Sequence, residues 1–411
     1  MKKDFLPIIL GSDENAYGTV RLFAEAYDVR PLLVCAHQLI ATSYSRLFDL
    51  SIVENFDDEA VFPDALDTIL CRCAEEYEHL LVVPCSDYYT ALLVRHYDRF
   101  DGRIANRFVS PELLSTLDTK DKFYALCEKH GLDFPKTVVC TPDERERVID
   151  ELPFSFPIVV KPENSNAHEY LHCEFEGKKK VYFFSDREEY LAMVRAMNTS
   201  DYRGKLIIQE FIEGGDDAMR VMNCYCDNSG NVRMLCLGQP VLEYYDPATA
   251  GNYAAIISRG DDALYARVRS FLQEIGYVGF ANFDMKFDRK TGRYVMFEIN
   301  PRLGRSSFYV RAAGHNMMRL LVDDVVYRCA PEYVCNKTVS LWSNVPMGIL
   351  RRYVKNEALL HEIDSLPVTR TLFCKGDLSF RRLLRVGKQY LAQYGGFKKY
   401  YFDKEKEFPK I

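Results

Sequence analysis

Short apolar runs alternate with helix-spaced patterns through the N-terminal part of the chain. Phe5 to Leu10, Pro31 to Val34, Ser51 to Val53 and Leu80 to Val83 are the apolar runs, and the alternation over about residues 5 to 115 predicts a parallel sheet. The first run leads into Gly11-Ser-Asp-Glu-Asn-Ala-Tyr-Gly18 and the last into Pro84-Cys-Ser-Asp87. In doubly wound sheets the crevice at the carboxyl ends of the strands is where ligands sit. Gly11 to Asn15 and Ser86-Asp87 are therefore candidates for an amino-acid substrate site, with Asp87 placed to accept an ammonium group. Turn chemistry explains the same residues almost as well. Neither G-x-G-x-x-G nor G-x-x-x-x-G-K-[ST] occurs, which sets aside nicotinamide and P-loop chemistry.

A helix is predicted from Thr119 to His130, with Phe123, Leu126 and Cys127 at helical spacing, Gly131 as its cap and Pro135 beyond. Strands follow at Phe156 to Lys161, Val181 to Phe184 and Leu206 to Phe211, with a helix near Glu188 to Met197. Residues 219 to 300 read as strand-rich, with turns at Asn228 to Asn231 and Arg289 to Arg293 and a helix at about Leu264 to Ile275. From Pro301 the pattern becomes loop and helix.

The most informative stretch is Phe280-Ala-Asn-Phe-Asp-Met-Lys-Phe-Asp288 followed by Tyr294-Val-Met-Phe-Glu-Ile-Asn-Pro-Arg302. Read at period two, Phe283, Met285 and Phe287 share one face and Asn282, Asp284 and Lys286 the other. In the second strand Val295, Phe297 and Ile299 alternate with Met296, Glu298 and Asn300. A hairpin turning near Lys290 to Gly292 sets Asp284 opposite Glu298. Two facing carboxylates repel, so a cation must offset them. Carboxylates completed by an amide and by phosphate oxygens are how magnesium is held, and Leu303-Gly-Arg-Ser-Ser307 adds anion-binding groups.

Composition narrows the picture. The 411 residues, 48% hydrophobic and 27% charged, suffice for two or three cores. With 53 basic and 59 acidic side chains, the net charge of -6 argues against a nucleic-acid coat. Between residues 340 and 411, however, 14 Lys and Arg face 7 Asp and Glu, either a solvated basic face or a docking surface for an anionic substrate or membrane. The 13 cysteines are odd in number and dispersed, which suits free thiols in a reducing cytoplasm. No apolar run approaches the ~20 residues of a membrane span. His168-Glu-Tyr-Leu-His172 matches H-E-x-x-H, but its surroundings leave little room for the long helix that zinc pattern needs. Glu163 to His168 reads instead as a loop that closes over phosphates. Trp342 reads as a packing residue.

Glu298-Ile-Asn-Pro-Arg302-Leu-Gly-Arg305-Ser-Ser307 resembles the metal-and-phosphate strand of the ATP-grasp superfamily, particularly the carbamoyl phosphate synthetase large chain and the carboxylate-amine ligases. Asp121-Lys122 before Gly131-Leu-Asp-Phe-Pro135 looks like the first family lysine, Phe156-Pro-Ile-Val-Val-Lys161-Pro like the second, and Gln209-Glu-Phe-Ile-Glu-Gly214 like the adenine hinge. The resemblance implies α/β and α+β architecture, an ATP-grasp fold with an N-terminal Rossmann-like pre-ATP-grasp domain. The expected divisions are a pre-ATP-grasp domain over 1–115, a lid subdomain over 116–208, a metal and catalytic subdomain over 209–330 and a basic extension over 331–411.

Carried over by position, Lys122 and Lys161 would bind ATP phosphates. Gln209 would meet the adenine amino group, where the family often has an acid, and the backbone of Glu210 and Ile212 the ring edge. Asp217, or its neighbour Asp216, would hold ribose. Asp284, Glu298 and Asn300 would coordinate Mg2+, and Arg302 with Arg305 would stabilise the transferred phosphoryl group and an acyl phosphate. The activity implied is ATP-dependent joining of an amino-acid carboxylate to an amine. Within the superfamily the chain looks most like the D-aspartate ligases, which would make the acceptor a lysine side chain on a nucleotide-linked or lipid-linked muropeptide. A dipeptide or amino-acid amide ligase and a non-catalytic ATP-binding regulator are the alternatives.

Overall fold

The computed structural model describes residues 2–100, 102–163, 168–179, 181–246 and 249–404. The N-terminal layer runs β1 (Lys3–Leu10), α1 (Glu14–Ala26), β2 (Leu32–Cys35), β3 (Asp49–Ile52), α2 (Phe62–Ala74), β4 (Tyr77–Pro84), α3 (Asp87–Arg95) and α4 (Tyr97–Phe100). Its strands pair in the order β3-β2-β1-β4, all parallel, as the alternating pattern predicts. Parallel strands are covered on both faces, and every β1 side chain from Phe5 to Leu10 is buried. Parallel pairing also brings the strand ends at Gly11 and Cys85 to one edge. There Asp13 caps α1 by accepting from the Ala16 N–H at 3.0 Å, and Ser86 caps α3 by accepting from the Tyr89 N–H at 3.2 Å.

Next come α5 (Pro111–Asp118), α6 (Lys120–Lys129), β5 (Thr137–Cys140), β6 (Ile158–Pro162), α7 (His168–His172), β7 (Tyr182–Phe184), α8 (Arg187–Asn198) and β8 (Leu206–Glu210). Their strands form a four-stranded antiparallel sheet, β5-β8-β6-β7, on which α8 packs Tyr190, Leu191, Val194 and Met197. The boundary expected at 208/209 falls inside β8. The H-E-x-x-H stretch is the five-residue helix α7, in which Glu169 accepts from the Arg203 N–H and Tyr170 is buried. Of the loop expected to close over phosphates, residues 164–167 lie outside the described residues, as does the side chain of His168.

The large sheet is built from β9 (Met219–Cys226), β10 (Val232–Glu243), β11 (Tyr253–Arg259), then α9 (Asp262–Glu274), β12 (Gly279–Asp288) and β13 (Arg293–Asn300). After α10 (Tyr309–Ala312) and α11 (Met317–Val325), β14 (Val334–Cys335) pairs with β10. Then β15 (Leu341–Ser343), α12 (Met347–Tyr353), α13 (Glu357–Ser365) and β16 (Val368–Thr369) precede the long helix α14 (Phe380–Lys404). The order is β13-β12-β9-β10-β11-β15-β16. Residues past 331 thus supply strands to the large sheet as well as basic charge. Trp342 is buried on β15 and donates its indole N–H to Thr371 Oγ1 at 2.9 Å. All 13 cysteines are free.

Candidate active site

The acidic centre lies on the β12–β13 hairpin. Asn282 pairs with Asn300 and Asp284 with Glu298, the register predicted from the turn. A bulge after Asp284 then sets Met285 opposite Met296, and it turns Met296 into the core rather than onto the polar face. Asp284 accepts from Tyr253 Oη at 2.8 Å, Asn300 Nδ2 at 3.2 Å and Asn282 Nδ2 at 3.4 Å. Burial, reinforced by the charge of Glu298, holds the Asp284 carboxyl above the usual carboxylate range. Burial acts on Glu298 in the same sense, but Lys120 and Lys161 outweigh it and hold that carboxyl low. Among the described residues no three His, Cys, Asp and Glu side chains converge. Two carboxylates and an amide are all oxygen donors and leave positions for phosphate oxygens and water, a donor set that fits Mg2+.

Two lysines reach this centre. Lys161 ends the apolar strand β6, and burial together with repulsion from Lys120 pushes its ammonium down to about 7. Lys120 Nζ lies 3.1 Å from Glu298 Oε2 and 3.4 Å from the Phe297 carbonyl. Lys122, the family lysine inferred from sequence, is exposed on the outer side of α6. The two lysines differ in helix phase: Phe123, Tyr124 and Cys127 form the buried face, and Lys120 stands three, four and seven residues before them.

Gln209 on β8 is buried, and its amide has a fixed orientation. Tyr124 Oη lies 3.3 Å from the Phe297 carbonyl and Thr137 Oγ1 2.7 Å from that of Pro135, and each hydroxyl donates its proton there. Both hydroxyls then accept from Gln209 Nε2, at 3.0 and 2.9 Å. The amide oxygen is left as an acceptor with no partner among the described residues. The Glu210 N–H is taken by the Lys136 carbonyl and the Ile212 carbonyl accepts from Lys286 Nζ at 2.7 Å, while the Ile212 N–H has no backbone partner among the described residues. The period-two pattern sets Lys286 on the polar face with Asp284, but the spacing alone carries no sign of its bond to the Ile212 carbonyl. Asp217 accepts from Arg289 at 2.7 Å and from Asn356 at 3.3 Å, whereas Asp216 accepts from the Glu243 N–H at 2.9 Å.

The acids themselves line a cleft of about 280 Å3, together with Asp13 and Cys85 to Asp87 of the N-terminal layer and Arg302 to Ser306. Arg302 grips Asp87 with two hydrogen bonds, at 2.6 and 2.8 Å. The Asp87 side chain is 68% exposed and that of Arg302 15%. Arg305 faces the buried Glu14 at 3.5 Å, and Asn344 Nδ2 donates to the same carboxylate at 2.7 Å. Burial raises both Asp13 and Glu14 above the usual range despite the nearby arginines.

Lysines, an acceptor-bearing hinge and facing acids thus converge between two sheets, beside a cleft of mixed charge. The chain is 36% identical over 422 residues to the D-aspartate ligase of Enterococcus faecium (strain Aus0004), covering 98% of each. It belongs to the ATP-grasp ligase family that includes D-aspartate ligase. No family model matches the chain. Among solved structures, N5-carboxyaminoimidazole synthetase from Staphylococcus aureus complexed with ADP aligns with a TM-score of 0.60 at 12% identity, over 88% of this chain and 87% of that one. L-amino acid ligase from Bacillus licheniformis gives 0.55 at 16% identity, over 79% and 75%. Both share the ATP-grasp fold. This chain is a ligase that forms carbon–nitrogen bonds, and the biotin carboxylase domain of Hydrogenobacter thermophilus 2-oxoglutarate carboxylase, which aligns with a TM-score of 0.59 at 13% identity over 82% of this chain and 73% of that one, was solved with MgADP. No helix among the ligase's described residues is long and apolar enough to cross a membrane.

Proposed function

We propose that the ligase phosphorylates a carboxylate of D-aspartate and joins the acyl group to the lysine side-chain amine of a nucleotide-linked or lipid-linked muropeptide in the cytoplasm. The observation that carries this reading is the 36% identity to D-aspartate ligase across 98% of both chains. A carboxylate is a poor electrophile. In the reaction its oxygen bonds to the γ-phosphorus of ATP and ADP leaves; the amine nitrogen then bonds to the acyl carbon, phosphate leaves, and the amine proton passes to solvent. Catalysis of this kind is mainly positioning and charge neutralisation.

The side chains divide that work. Asp284, Glu298 and Asn300 would hold Mg2+, which shields charge between the phosphates and the acids when bound. Lys161 and Lys120, the latter in place of Lys122, bind the phosphates. Gln209 accepts from the adenine amino group, the Glu210 and Ile212 backbone lines the ring edge, and Asp217 takes the ribose side. Arg302 and Arg305 stabilise the phosphoryl group and the acyl phosphate. D-Aspartate brings two carboxylates and one ammonium, which suits a cleft holding both arginines and Asp87.

The test is ADP release with Mg2+, ATP, D- or L-amino acids, and acceptor. Release that requires D-aspartate together with a lysine-containing precursor is expected, and Glu298→Gln should lower it by about 10^3-fold while nucleotide still binds. Release with other carboxylate and amine pairs alone would keep the ligase and remove the cell-wall role. Nucleotide binding without turnover in the parent protein would make it a regulator.

A further inference from the structure

We infer that the outer face of α14 is a docking surface for an anionic lipid bilayer. Between Phe380 and Tyr401 the sequence carries six Lys and Arg and no Asp or Glu. The inner face is firmly held. Arg382 is fully buried, 3.1 Å from Asp377, and donates to the Ala41 and Ser43 carbonyls. Tyr390 Oη donates to the Val345 carbonyl, and Phe397 packs beside Tyr244 and Tyr353. The outer face is therefore a fixed surface and not a fraying end.

On that surface Phe380 is 76% exposed, Leu384 58% and Leu391 64%, spaced four and seven residues apart so that they share one stripe, with Leu383 beside it. Arg381, Arg385, Lys388 and Lys398 are exposed along the same side and pair with no carboxylate among the described residues. Cations alone would suit a nucleotide or any soluble polyanion. Phenylalanine and leucine standing among them would stay in water on such a ligand. A bilayer surface satisfies both groups at once, because it offers lipid phosphates to the arginines and lysines and acyl chains to the apolar stripe. The inference does not depend on which amino acid the ligase activates.

Co-sedimentation of the full chain with vesicles tests it, using phosphatidylcholine alone against phosphatidylcholine containing phosphatidylglycerol. The expected result is binding to the anionic vesicles only, weakened by salt. Arg381→Glu with Arg385→Glu should reduce partitioning by at least about tenfold, since each cation near a charged surface is worth roughly a factor of five. Leu384→Asp with Leu391→Asp should also reduce it, and ADP release in solution should stay at the parental rate in both variants, which reports that they fold. Absence of binding to anionic vesicles, or equal binding to neutral ones, overturns the proposal. So does a dimer in solution that Leu391→Asp dissociates, because a second copy would then own the face.

Discussion

The two halves of the site hold their polar groups in different ways. At the hinge end of the nucleotide side, away from the Lys120–Glu298 pair, the partners are backbone carbonyls and hydroxyls whose own protons are already committed: Gln209 is fixed by Tyr124 and Thr137, and Lys286 by the Ile212 carbonyl. On the donor side the charged groups are held by one another, Arg302 by Asp87 and Arg305 by Glu14. A locked amide suits a ligand that is the same in every turnover. An ion pair with one exposed member can exchange partners, so a zwitterion can bring its carboxylate to Arg302 and its ammonium to Asp87. The difference teaches that the first half is built for a fixed reading and the second for substitution of internal charges by those of the substrate.

The sharpest way to break the nucleotide half is Lys120→Ala. Removing a cation next to Glu298 leaves a carboxylate uncompensated and takes away the phosphate contact proposed for Lys120, so kcat/KM for ATP should fall by about 10^2-fold. Lys122→Ala should remain within about twofold, as exposed residues usually do. Steady-state ADP release on the two variants decides between the lysines, and equal losses would mean that α6 turns when nucleotide binds.

Asp87→Asn probes the other half. The substitution keeps the cap region and the shape of the side chain, and it removes the charge proposed to meet the substrate ammonium. The KM for the amino-acid donor should rise about tenfold, the worth of a charged hydrogen bond at a partly exposed site, with the KM for ATP unchanged. A rise in both would show that the halves are coupled through Arg302.

Lys161 gives the comparison a pH axis. Its ammonium, pushed down to about 7 by burial and by Lys120, is the form proposed to bind the triphosphate. Above that pH the amine of the free protein is mostly neutral, and ATP binding must be coupled to uptake of a proton from solvent. ATP affinity should therefore fall as pH rises from 7 to 9, by up to about tenfold per unit, and Lys161→Met should flatten the slope. Calorimetry in two buffers of different ionisation enthalpy measures the uptake directly, and no uptake at pH 8 would contradict the assignment.

How much of this could be read from sequence differs element by element. The parallel pairing of β1, β2 and β4 follows from local pattern, and so does the facing of Asp284 and Glu298, because a short turn transmits register along both strands. The choice of Lys120 was also present in the helix phase, since Cys127 and Phe123 already mark the buried side. The bulge after Asp284 was not legible, because period two gives no sign of an extra residue. Nor was the contact of Asn344 with Glu14, 330 residues apart, which exists only once β15 joins the large sheet beside the N-terminal layer. Long-range polar contacts carry no local spacing to betray them.

The smallest expected effect is the most specific. Tyr124→Phe removes one of the two hydroxyls that hold the Gln209 amide, and it leaves the ring to stack on Phe134, whose centroid lies 5.2 Å away. With only Thr137 left to accept from Nε2, the amide can turn and offer its NH2 to the base. An outward oxygen accepts from the amino group of adenine, whereas an outward NH2 donates to the carbonyl oxygen that guanine carries at the same position. One neutral hydrogen bond is worth about 1 kcal/mol, or roughly fivefold. The ratio of kcat/KM for ATP over GTP should therefore fall about fivefold with kcat for ATP little changed, and Thr137→Val should act in the same direction. A loss of kcat with the ratio intact would assign Tyr124 to holding Lys120 and Phe297 in place, and the base would then be read by the hinge backbone alone.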